Sequence, residues 1–244
     1  MNEKPLALPQ LSTSDSKKII GLKTMAYKDY IAARSLLNNN FLHQAVFLIN
    51  TCIEKELKAY LFALGIETKK IHDSAKLLKR ISEVEGVNLI DNLNVQFIEV
   101  ISKIYHTRYY EDLQPGFNFV INKNKFLAEL DYTYSILVNL TRIGYNEDSL
   151  EYSKYHKDID NKNPKLFENN YILNNTSKEE FLNQIEHVYE FRIAKSHSIL
   201  EVTYELPTNV DNDKFDYEGL KEINGKNFEF SQISDHTIHF DDKI

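Results

Sequence analysis

The chain has 244 residues, 42% of them apolar and 27% charged, with a formal net charge of −7, 15 Tyr, 14 Phe and no Trp. That composition fits a folded globular chain of one large domain or two small ones. The single cysteine, Cys52, excludes an intramolecular disulfide. No apolar run approaches the roughly 18 residues of a membrane span. Met1 to Ser16 lacks a basic start followed by an apolar core, so a cytoplasmic protein is expected.

Charge is unevenly placed. Up to residue 144 there are 18 Lys+Arg against 15 Asp+Glu, and from residue 145 onward 11 against 21. The acidic C-terminal part disfavours long nucleic acid, whereas the mildly basic N-terminal part can accept a nucleotide or a short RNA.

In chain order, residues 1–23 read as an N-terminal tail and residues 24–144 as helical almost throughout. Ala26, Tyr27, Tyr30, Ile31 and Leu37 mark a first amphipathic helix that ends near Asn38-Asn39-Asn40. In the second, Ala45, Leu48, Ile49, Cys52, Ile53, Leu57, Tyr60, Leu61 and Leu64 recur at helical steps. Gly65 stands where a left-handed cap is expected. Asp73 is placed to cap a third helix that closes at Gly86. A fourth runs from about Leu89 through Arg108. Pro115-Gly116 breaks the chain, and a fifth carries Phe126, Leu127, Leu130, Tyr134, Leu137 and Thr141 up to Gly144. Short connections predict an antiparallel bundle.

Residues 145–175 read as a linker or long surface loop. Residues 176–244 read as a small α+β extension: a helix capped by Thr176 or Ser177 through about Val188, then strand-like alternation at Phe191 and Ile193 and over Leu200, Val202, Tyr204 and Leu206. A last pair is expected at Phe228-Phe230 and Ile238-Phe240.

The most informative stretch is Tyr105-His106-Thr107-Arg108-Tyr109-Tyr110-Glu111-Asp112. Continuing the helical stripe Leu93, Phe97, Val100, Ile101 and Ile104 by one turn puts Arg108 on the inward face. A guanidinium there needs a carboxylate, a phosphate or carbonyls beside it. Glu54, Glu56 and Asp112 are the candidate acids. Glu56 falls on the stripe of the second helix, where a carboxylate is costly unless paired. Glu54 and Lys58 are four apart, in the favourable acid-before-base order. Arg108, Tyr109 and Lys58 could then line a cleft that suits a phosphate and a base.

Other histidines add little. His236 and His239 lie near Asp235, Asp241 and Asp242, but in a strand an offset of three puts them on opposite faces. No metal site and no cofactor are expected, and Cys52 reads as a small core residue.

Helix two (Ala45 to Ala59, with Glu54-Lys55-Glu56), then His72-Asp73 before Leu77-Leu78, then Thr107-Arg108-Tyr109 with Asp112 close by, form an ordered set. The set resembles the prokaryotic HEPN domain, a helical bundle found beside nucleotidyltransferases and in toxin–antitoxin and defence systems. The resemblance covers roughly residues 24–144. It departs from the family's Thr-Arg-Tyr-Pro-Asp run, because Tyr110-Glu111 precede Asp112. The resemblance implies a homodimer and a separately encoded protein partner such as a nucleotidyltransferase. Many HEPN proteins are metal-independent RNases, with an Arg and a His four to six residues apart on one late helix. Arg108 and Arg142 have no such His downstream, His106 precedes Arg108, and Arg34 and His43 are nine apart. Arg192 and His197 have the spacing but lie outside the bundle.

The expectation is therefore a mainly α protein, an antiparallel HEPN-like bundle with a small C-terminal α+β extension, acting as a non-catalytic nucleotide- or RNA-binding module. One alternative is a divergent metal-independent ribonuclease, with His106 or His43 arriving from another helix or subunit. The other is a purely structural interaction protein.

Overall fold

The computed structural model describes residues 11–68, 71–84, 89–113, 115–141, 153–194, 198–207, 221–223 and 227–229. Its first element is α1 (Thr13–Asn38), which Ser12 caps by accepting from the Asp15 N–H. The helix thus begins inside the expected tail. The polar run Ser14-Asp15-Ser16-Lys17-Lys18 hides one apolar anchor, Ile19, which is buried against Ala59 and Ala63.

After a turn at Asn40, with φ 63°, the chain reverses into α2 (Leu42–Ala63). Ile19 meets Ala59 and Ala63, Lys23 meets Glu56, and Asp29 meets Lys55. Partner numbers fall along α2 as they rise along α1, so the two helices are antiparallel. Gly65, at φ 77°, ends α2 as expected: the Ile66 N–H donates to Leu61 O at 2.8 Å and the Gly65 N–H to Phe62 O at 3.0 Å.

Asp73 caps α3 (Ser74–Ser82) through the Lys76 N–H at 3.1 Å, also as expected. Gly86 lies outside the described residues. A short 3-10 turn at Ile90–Asn92 precedes α4 (Val95–Tyr105). The core between α2, α4 and α5 (Lys123–Leu140) is filled by Ile49, Ile53, Leu57, Phe97, Ile101, Phe126, Leu130 and Leu137.

Two regions differ from the sequence expectation. Asn118–Asn122 is a strand, β1, that runs directly into α5. It pairs antiparallel with β2 (Glu186–Ile193), which pairs antiparallel with β3 (Ile199–Leu206). The sheet therefore joins the bundle to the C-terminal part rather than belonging to a separate extension. Phe119, Phe191 and Tyr189 carry its buried face. Ser177 caps α8 (Lys178–Leu182), and β2 begins at Glu186, before the expected end of that helix near Val188, while Phe191 and Ile193 are strand as expected. A further hairpin, β4 (Lys221–Ile223) with β5 (Asn227–Glu229), takes up Phe228; the expected Ile238-Phe240 partner lies outside the described residues.

The second difference is the expected linker. Within it, α6 (Lys154–Asp160) and α7 (Pro164–Phe167) pack on α1. Their anchor is a buried tyrosine–arginine cluster. Arg34 of α1 is 0% exposed; it is ion-paired with Asp131 of α5 and donates to the carbonyl oxygens of Lys165 and Glu168. Tyr30 donates to the same Asp131 at 2.7 Å and stacks on Tyr134 with ring centroids 4.0 Å apart. Tyr27 donates to Asp158, and Tyr155 packs edge-on to Tyr30 and Tyr134. Burial works against the Arg34 charge, but Asp131 and Tyr30 outweigh it and hold the guanidinium above its usual range. Among the described residues, no helix is long and apolar enough to cross a membrane.

Candidate functional site

One stripe of α2 carries His43, Phe47, Asn50, Glu54 and Lys58, three or four residues apart and so on one face. Asn50 is buried; its Oδ1 accepts from Ser74 Oγ of α3 at 2.9 Å and from Ser102 Oγ of α4 at 3.4 Å, tying three helices together. One turn on, Glu54 Oε1 accepts from Lys58 Nζ at 2.6 Å and lies 3.1 Å from His72 Nδ1. Lys58 and Glu54 are thus a largely shielded pair rather than a solvated one, while His72 reaches outward.

Glu56 is nearly fully buried, and its partner is Lys23 of α1 at 3.1 Å, not Arg108. Lys23 also donates to Val138 O, so this acid joins α1, α2 and α5. Burial pushes the Glu56 carboxyl up, and Lys23 works against that. Its role is in the bundle interior, away from the Arg108 turn.

The end of α4 corrects the central sequence expectation. The α-helix stops at Tyr105, and His106–Asp112 continues as a tighter 3-10 segment with a break at Tyr109 (φ −114°, ψ 60°). A 3.6-residue extrapolation does not hold across that change of pitch. Thr107, not Arg108, takes the inward position: it is 4% exposed, and its hydroxyl donates to Ile104 O at 2.6 Å. Arg108 is exposed and lies over the Tyr105 ring, its guanidinium carbon 3.4 Å from the ring centroid. It is 5.3 Å from the centroid of Tyr109, which is 60% exposed. Burial pushes the Tyr105 hydroxyl up while the Arg108 charge opposes it and Glu54 adds to it, so the Glu54–Lys58 pair lies within electrostatic reach of this platform. The Asp112 side chain lies outside what is described.

His106 is exposed and donates its backbone N–H to the last carbonyls of α4. His43 is placed differently. Its Nε2 is 2.9 Å from Thr107 Oγ1, and its Nδ1 is 3.3 Å from the Tyr189 hydroxyl of β2. Its ring stacks on Tyr189 and packs against Phe47, Phe119 and Phe191. Burial pulls its pKa below the usual histidine range. Of the two candidate catalytic histidines, His43 is the one held against the residue that precedes Arg108. Arg192 is exposed on β2, while His197, His236 and His239 lie outside the described residues.

Sequence reasoning did not single out Tyr105 as the platform, nor Tyr189 and Glu201 as neighbours of His43. Tyr105 was legible as the residue three before Arg108. The two sheet residues give no local signal, because only strand pairing brings them to α2.

The family model of the HEPN domain matches residues 21–137. Residues 21–137 are thus a HEPN domain. No curated protein and no solved structure matches the chain. The HEPN match takes in the α2 stripe, the Arg108 turn, β1 and most of α5. It leaves out α6, α7, α8, β2 and β3, although these cover Arg34 and His43.

Proposed function

We infer that the HEPN domain binds a nucleotide or a short single-stranded RNA at the Arg108 turn without cleaving it. The observation that carries this reading is the exposed guanidinium held over Tyr105 beside the exposed ring of Tyr109. A guanidinium has five N–H donors, so an exposed one held over a ring can still offer some of them to a phosphate oxygen, and an adjacent exposed ring suits a base. Lys58 is held by Glu54 within electrostatic reach of the platform and could offer a further N–H to a phosphate. Two copies of a HEPN domain would double the charge presented, and a separately encoded nucleotidyltransferase is the partner that the family supports. A cytoplasmic role in a toxin–antitoxin or defence system fits the same reading.

Fluorescence anisotropy with a labelled single-stranded RNA tests it. Arg108→Ala should weaken binding about tenfold or more, the size of a charge-assisted contact. Equal affinity of the wild type and this variant, or no binding at all, contradicts the reading.

A second reading, a metal-independent ribonuclease, has one specific observation in its favour. His43 arrives from another helix at the turn that carries Arg108, and burial favours its neutral form, the form a general base requires. RNA cleavage in a chelator that disappears in both Arg108→Ala and His43→Ala, and survives His106→Ala, would favour it. Loss in His106→Ala alone would assign the base to the exposed ring. If neither reading holds, the domain is a structural interaction module, and Arg108→Ala changes nothing but its contact with Tyr105.

A further inference from the structure

The hydrogen bonds around His43 do not close for a neutral ring. Thr107 has one hydroxyl proton, and it is given to Ile104 O. Tyr189 also has one, and it is given to Glu201 Oε1 at 2.9 Å. Towards the histidine both hydroxyls can then only accept, so Nε2 and Nδ1 must both donate. A neutral imidazole has a single N–H and cannot do so.

One hydroxyl must therefore turn round when the ring loses a proton. Thr107 is the costlier one to turn. Its acceptor, Ile104 O, is at the end of α4, and both residues are buried, so a released carbonyl would have little water to replace the bond. Glu201 is exposed on β3 and can take water instead. In the neutral state, then, Nε2–H still donates to Thr107, while Tyr189 turns its proton from Glu201 to Nδ1.

We propose that His43 is a proton-operated latch between the HEPN domain and the edge strand β3. The doubly protonated ring sends the Tyr189 proton to Glu201 and adds that side-chain bond to the ladder that holds β3 on β2. The neutral ring takes that proton for itself and lets Glu201 go. Thr107 stays bonded throughout, so the latch acts at the sheet while the other nitrogen keeps hold of the turn bearing Arg108.

The surroundings set the direction of the response. Phe47 from α2, Phe119 from β1 and Phe191 from β2 exclude water from the ring without adding charge. Thr107 comes from the turn and Tyr189 from β2, and burial keeps the Tyr189 hydroxyl protonated throughout this range. Glu201 from β3 is the charge that favours the protonated ring, against the larger effect of burial. The latch is accordingly open near neutral pH and fastens on acidification. The change is confined to the sheet side of the ring, so it stands independently of the reading of the Arg108 turn as a ligand face.

The test uses the whole chain, with 15N in the histidine rings and 13C in the glutamate carboxyls, titrated by NMR from about pH 8 down to about pH 5. The expected neutral form of His43 is the Nε2–H tautomer, and the Glu201 carboxyl signal should move with the ring's own midpoint. In Tyr189→Phe the ring should still titrate, about one pH unit lower, since its charged form loses one acceptor. Glu201 should then follow it only weakly, through the charge of the ring and no longer through the shared hydroxyl. An Nδ1–H tautomer in the wild type overturns the latch. So does a Glu201 signal that ignores the ring, or one that follows it undiminished in Tyr189→Phe. The wild-type tautomer alone decides the matter if that variant does not fold. No ligand is present, so a protein that binds no RNA sinks the binding reading and leaves this result intact.

Discussion

Arg34 and Arg108 are the same side chain in two opposite environments. The first is sealed between α1, α5 and α7, with a carboxylate, two carbonyls and a tyrosine ring around it. The second lies over a tyrosine at the surface, exposed to solvent. An arginine whose donors are taken up inside the protein holds elements together, here α6 and α7 onto the bundle. One that is exposed and held over a ring is available to an anion. The requirement that an inward guanidinium find an acid is thus met in this molecule, at Arg34 rather than Arg108.

The comparison breaks most easily at its buried end. Arg34→Ala leaves Asp131 sealed without its cation and should cost about 3–5 kcal/mol in chemical denaturation. A loss under 1 kcal/mol would mean that water reaches the cluster.

A second buried charge sharpens the point. Glu186 of β2 accepts the Asn124 N–H at the start of α5 at 2.8 Å, yet burial raises its pKa to about 7 from 4.5. With the folded-state value raised, the folded chain binds more protons than the unfolded chain between those two values. Stability therefore falls as pH rises from about 4.5 to about 7, by roughly 3 kcal/mol from this group. His43, whose folded-state value is lowered, acts in the opposite direction over the acid part of that window. The difference between wild type and Glu186→Gln isolates the carboxyl. Parallel pH–stability curves for the two proteins would show that Glu186 ionises as freely as a surface acid.

At the exposed end the effects should fall on binding and not on stability. Tyr109→Ala removes an exposed stacking surface and should weaken RNA binding by about 1–3 kcal/mol while the melting temperature stays put. A lower melting temperature with unchanged affinity would assign Tyr109 to the fold. The smallest effect concerns the helix beside the site: Asp73→Ala deletes the cap of α3 and should cost about 1 kcal/mol of stability.

Much of the bundle was legible because its signals are local. The α2 periodicity, the left-handed cap at Gly65 and the Asp73 cap each depend on neighbours within one or two turns. What escaped depends on distant partners. The start of α1 is fixed by Ile19 meeting Ala59 and Ala63, and the apparent linker is helical because Tyr155 and Leu166 are buried against α1. β1 is short and reads as the run-in to α5 until β2 pairs with it. At the site, Arg108 and Tyr109 were legible as residues but not in orientation, because the chain tightens to a 3-10 turn just past Tyr105. Glu56 was recognisable as an acid in need of a partner. That the partner is Lys23 depends on the antiparallel register of α1 against α2, which no local pattern encodes.

The most direct test is a titration of labelled single-stranded RNA against wild type and Arg108→Ala, with the unfolding curves of both recorded in the same buffer. The expected result is an affinity about tenfold weaker in the variant, with superimposable unfolding. Equal affinities, or a variant that binds normally but unfolds earlier, would contradict the assignment of Arg108 to a ligand.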